Sequence, residues 1–136
     1  MTFIKNILFI ITTIYAGIID YKTREIPNKV HIIILLLSLI NINLKQSLIG
    51  LILLPIPFII PIFIDYNSVG GGDIKLIGAM GAFLGFKKGI IALIISLTLA
   101  LILNLLIFKK NKKEIFPLAP YMAIGSFITI LLLNWF

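Results

Sequence analysis

Cysteine is absent from this chain, histidine occurs once, and acids occur five times, as Asp20, Glu25, Asp65, Asp73 and Glu114. The missing cysteines exclude disulfides, thiolate metal sites and a thiol nucleophile, and the lone His31 is too little for a histidine metal cluster. Charge is also scarce. Only 12% of the 136 residues are charged, where a soluble domain carries roughly one quarter. What fills the space is apolar: 60% of residues are hydrophobic and the mean hydropathy is +1.17. This composition belongs to a membrane protein, and any chemistry must come from carboxylates, with no metal or organic cofactor required.

The net charge of +7 reads more simply as a membrane-topology signal than as a nucleic-acid surface. No internal repeat divides the chain, so residues 1–136 are expected to form one transmembrane domain. Lys5 before an apolar run, with Ala16 and Gly17 near its end, resembles a signal peptide; because further spans follow, it is expected to be retained.

A helix needs ~20 apolar residues to cross ~30 Å of hydrocarbon. Residues 3–19, 48–64, 90–108 and 115–136 meet this, whereas 30–44 and 74–86 fall short. The expected fold is an all-α integral membrane bundle of about six segments, with both ends outside. Lys22, Arg24, Lys29, Lys75, Lys109, Lys110, Lys112 and Lys113 then lie inside, against Lys5, Lys45, Lys87 and Lys88 outside, as the positive-inside rule prefers. If 74–86 is re-entrant, the later assignments flip. Pro55, Pro57 and Pro61 either open the third segment against other protein or merely kink it. Gly78 with Ala82, and Gly81 with Gly85, form small-residue pairs that let helices approach, so this short Gly/Ala-rich helix should be the most enclosed. Asn104, inside the fifth segment, reads as an interhelical hydrogen-bonding residue or as a substrate contact.

In the six-segment arrangement Asp20, Asp65 and Asp73 all reach the same membrane face, so acids far apart in sequence can meet. A carboxylate joined to an apolar helix is costly and marks a functional candidate, although an interfacial one can stay wet. Asp73 follows Gly70, Gly71 and Gly72, a run able to adopt positive φ and admit another backbone, or simply to form a flexible turn. Two close carboxylates share a proton, so one can act as base toward water while the other supplies a proton. Helix dipoles predict Asp73, at a helix start, to be more ionised than Asp20, at a helix end.

The chain resembles the type IV prepilin peptidases, which carry an aspartate followed by Ile-Pro-Asn and, later, Gly-x-Gly-Asp. Here these read Asp20-Tyr-Lys-Thr-Arg-Glu-Ile26-Pro27-Asn28 and Gly70-Gly71-Gly72-Asp73, and the stretch from Phe116 to Gly125, with Pro117 and Pro120, looks like the family's start of the last helix. The resemblance implies a membrane aspartic endopeptidase with Asp20 and Asp73 as its catalytic pair. It would cut the basic leader from prepilins or pseudopilins at the cytoplasmic face of the plasma membrane. Long family members carry a cysteine-containing loop and also methylate the new N-terminus; the short relatives imply peptidase activity without N-methyl transfer. Asn67 stands where many relatives carry an acid.

Among the remaining residues, Gly70, Gly72, Ile26, Pro27, Asn28, Pro117 and Pro120 are expected to shape the site and the turns into helices. Lys75 is open to holding a lipid phosphate, pairing with Asp65, tuning the acids, or staying solvated. Arg24 and Glu25 read as loop charges ahead of substrate contacts, and His31 as interfacial ahead of participating. Residues Lys109 to Lys113 read as a topology anchor, or as a site for anionic lipid. Two other functions stay open: a broader intramembrane protease like presenilin or signal peptide peptidase, and a small channel, transporter or assembly subunit whose acids bind ions. The oligomeric state is not legible.

Overall fold

In hydrocarbon every backbone N–H and C=O must be satisfied inside its own segment, so apolar runs of this length form helices. The computed structural model describes residues 2–40, 43–107 and 117–134. Among them the regular structure is helical throughout: α1 (Thr2–Thr23), α2 (Asn28–Ser38), α3 (Leu44–Leu53), α4 (Ile56–Ile64), α5 (Gly71–Ile107) and α6 (Ala119–Asn134). Lys109, Lys110, Lys112, Lys113, Glu114 and Phe116 lie outside the described residues.

Three stretches are long and apolar enough to cross a bilayer: Thr2–Thr23, Leu44–Ile64 taken through its proline break, and Gly71–Ile107. α2 is apolar but has 11 residues, about 16 Å of helix against ~30 Å of hydrocarbon. The break between α3 and α4 falls at buried Leu54 and Pro55, where Pro55 has no N–H to continue the ladder. The third segment is thus opened where it is enclosed by protein, while α4 beyond it has no buried residue.

The expected boundary between the fourth and fifth segments takes a different form. Lys87 and Lys88 do not form a loop; both are helical, and the chain turns at Gly85 alone, with φ 78° and ψ 171°. A β-carbon on Gly89 would lie 3.6 Å from the Gly81 Cα, whereas a straight helix would hold residues eight apart at about 12 Å. The two arms of α5, 71–84 and 86–107, therefore fold back on each other at one glycine. Only glycine takes this φ without steric cost, which is why one residue suffices.

α5 is the centre of the packing. It contacts α2, α3 and α6, while α1 packs on α6 and α2. Residues 76–83 are all buried, as expected for the Gly/Ala-rich helix. At the crossing of α3 and α5, a β-carbon on Gly50 would run into the Gly81 backbone, and one on Gly81 into that of Gly50. Buried hydroxyls are satisfied locally or across helices: Ser96 Oγ donates to Ala92 O at 2.6 Å, and Ser47 Oγ on α3 donates to Ala82 O on α5 at 2.6 Å. Away from the site, Phe9 of α1 stacks on Phe83 of α5 with ring centroids 3.9 Å apart. Lys5 lies over the same ring and donates to Ile40 O at 2.7 Å, tying α1, the end of α2 and α5 together. Large apolar side chains such as Ile11, Ile18, Leu101 and Leu105 point outward, the pattern a lipid-facing surface requires. Asn104 is exposed as well.

Candidate active site

α1 ends just after Asp20 in a left-handed residue. Arg24 N donates to Asp20 O at 2.9 Å, and Arg24 has φ 58°, a conformation that costs a residue with a β-carbon ~1–2 kcal/mol. The chain then extends through Pro27 (φ −61°, ψ 139°), which caps α2 without a side-chain bond. This tight corner keeps Ile26 and Asn28 on the same cavity wall as Asp20. Pro27 sets the turn as expected, whereas Asn28 does different work: its Oδ1 accepts from Lys75 Nζ at 3.4 Å.

The second motif starts α5. Asp73 N donates to Gly70 O at 3.1 Å, closing the first turn. None of the three glycines has positive φ; among the described residues only Gly85 does so among glycines. Their use is close approach. A β-carbon on Gly70 would lie 3.0 Å from Asp73 Oδ2, and one on Gly72 would lie 3.4 Å from the Ile26 Cβ, while Gly71 has nothing within 4 Å. Gly72 therefore seats the second motif on the first, and Gly70 leaves room for the carboxylate.

Asp20 and Asp73 line the same cavity, of about 310 Å³, together with Arg24, Glu25, Ile26, Asn28, Gly70, Gly72 and Lys75. The two acids are within Coulombic reach of each other. Asp20 is 5% exposed and its Oδ2 accepts from the backbone N–H of Ala119 at 3.1 Å. Asp73 Oδ1 is buried with no hydrogen-bond partner among the described residues. Because Ala119 opens α6, Asp20 meets the positive end of that helix just as Asp73 meets that of α5. The start of α6 thus offsets the negative end of α1 at Asp20, which narrows the dipole difference expected between Asp20 at the end of α1 and Asp73 at the start of α5.

Pro117 is buried and Pro120 lies in the first turn of α6. Pro120 packs against Gly17, where a β-carbon would come within 2.9 Å of the Pro120 Cα. This contact lets the start of α6 reach Asp20. Asp65 is exposed; its Oδ1 accepts from Asn67 N at 3.1 Å, and it forms no bridge to Lys75.

Three residues gain in importance over their reading from sequence. Arg24 and Glu25 line the cavity. His31 is 6% exposed, and its Nε2 lies 3.1 Å from Gly72 O; because a carbonyl only accepts, that nitrogen carries the proton. The available signal was spacing: His31 follows Asn28 by three residues, on the same helix face.

The fold and cavity define an all-helical membrane protein in which two acid-bearing turns meet at one end of a bundle. The chain belongs to the type IV leader peptidase family, whose model matches residues 7–105 and so includes both motifs. No curated protein and no solved structure matches it. The family makes it a protease of the leader peptidase type.

Proposed function

We propose that the protein is an aspartic endopeptidase of the plasma membrane that removes the basic leader of a prepilin or pseudopilin. The observation that carries this reading is the shared cavity of Asp20 and Asp73, two carboxylates from separate motifs in a site without a cysteine nucleophile. One ionised carboxylate takes a proton from water as the water oxygen attacks the scissile carbonyl carbon. The other, protonated, gives its proton to the carbonyl oxygen. The tetrahedral diol then collapses: the C–N bond breaks, the nitrogen gains a proton and leaves as the new N-terminus, and the shared proton returns to the acid pair.

Six membrane segments, with the acids at the cytoplasmic face, complete the reading. The reversal at Gly85 supports it, because it returns the chain across the bundle between Asp73 and residue 107. Cleavage proceeds without N-methyl transfer, in keeping with the absence of cysteine. The test is co-expression of a tagged prepilin with the wild-type chain, Asp20→Asn or Asp73→Asn. A shortened product with wild type alone supports the reading; equal cleavage by both single variants overturns it.

A further inference from the structure

Both α2 and α3 pack on α5, and between them runs a second cavity of about 500 Å³. Its walls are Ile32 and Leu35 of α2 on one side and Leu51 and Pro55 on the other, over a floor of Gly78 and Ala79. Small residues on the floor make it concave. Ile32 is 56% exposed and Leu35 37%, so the walls are apolar surface left uncovered by the fold.

This trough is continuous with the acid-lined cavity, because Asn28 and Lys75 line both. From Asn28 to Leu35 it follows eight residues of α2, about 10 Å or two turns of helix. Another apolar hollow, about 350 Å³ between α1 and α6 beside Ile14, Ile18 and Pro120, shares no lining residue with the acid cavity.

We propose that the trough between α2 and α3 seats the first two turns of the substrate's apolar helix, with the scissile bond just beyond its Asn28–Lys75 mouth. The assignment rests on the leader-peptidase reading and adds where the substrate lies. Its warrant is an ordered match of chemistry. Such a substrate passes from a charged leader to an apolar helix across the cut, and the enzyme surface passes from acids, Arg24 and Lys75 to Ile32, Leu35 and Gly78 in the same order. A phospholipid would match the apolar part and Lys75 but leave Asp20, Glu25 and Asp73 unmatched, whereas a basic leader meets these acids.

The test places a photoreactive amino acid at Ile32 or Leu35, and at Ile14 or Ile18 for comparison, in the full chain co-expressed with a tagged prepilin. Adducts to the prepilin helix from positions 32 and 35, well above those from 14 and 18, are expected. Prepilin cleavage accompanied by adducts from 32 and 35 only to lipid, only to a second copy of the chain, or to nothing, overturns the docking assignment and leaves the peptidase reading standing. No cleavage by the unsubstituted chain overturns the peptidase reading, and the docking assignment falls with it. As an independent measure, Leu35→Trp narrows the trough and is expected to raise KM several-fold with kcat kept, the signature of lost ground-state binding; unchanged KM counts against the proposal.

Discussion

Asp20, near the end of the first helix, accepts a 3.1 Å hydrogen bond from the backbone N–H of Ala119, which opens the last. The first N–H groups of a helix have no partner within it. One carboxylate therefore both lines the acid cavity and ties the two ends of the described chain together.

The two duties of Asp20 are separable by substitution. In Asp20→Asn the amide oxygen still accepts the Ala119 N–H, so the thermal midpoint in detergent should hold while prepilin cleavage falls by roughly 10²-fold or more, the usual worth of a proton-transferring group. Asp20→Ala should lose the activity and also about 1–3 kcal/mol of stability, because a buried N–H is left orphaned. Gel-shift cleavage and thermal unfolding, measured on both variants, check this; an Asn variant as unstable as the Ala variant would contradict it.

The glycines before Asp73 should be unequal. Gly70→Ala puts a methyl 3.0 Å from Asp73 Oδ2 and displaces it, whereas Gly71→Ala meets nothing within 4 Å. The expected outcome is a loss of roughly tenfold in kcat/KM for Gly70→Ala, equivalent to about 1.4 kcal/mol in the transition state, with Gly71→Ala close to wild type. Equal losses at both positions would indicate that flexibility, not clearance, is what the run provides.

Residue type made much of this site legible. Against an apolar background, Asp20, the Ile26–Asn28 turn and the glycines before Asp73 stand out, and the small residues from Gly78 to Gly85 announce close packing. Other features left no such mark. Ala119 contributes a backbone N–H, which every residue but proline possesses. The reversal at Gly85 was hidden because two lysines beside it looked like the loop, when a single positive φ does the turning. His31 at a helix start resembles any interfacial histidine until α2 packs on α5 and brings it to Gly72.

His31 is expected to act as a positioning residue for the second motif. Its Nε2–H holds the carbonyl of Gly72, the residue before Asp73. His31→Ala should lower kcat, because the residue before Asp73 loses its support, and should also raise KM, because His31 lines the trough beside Ile32. His31→Gln, which keeps an N–H donor on a side chain of similar reach, should recover much of the rate. Steady-state cleavage of a purified prepilin measures both; failure of the Gln variant to exceed the Ala variant would assign His31 to packing alone.

Doubling back at Gly85 carries a consequence for sidedness. Asp73 begins the first arm of α5 and Lys87 lies just past the reversal, so Lys87 should sit on the opposite side of the membrane from the acid cavity and from the exposed Ser68 in the loop that precedes it. The natural sequence has no cysteine, so a single introduced thiol reports its own position without background. In intact cells Lys87→Cys should react with a membrane-impermeant maleimide, whereas Ser68→Cys should react only after the membrane is opened. Protection of both would place the Gly85 turn and the acid cavity on the same side, as for a re-entrant first arm, and would reduce the number of crossings. Reaction at Ser68 with protection at Lys87 would keep the crossings and reverse the orientation, moving leader cleavage to the outer face.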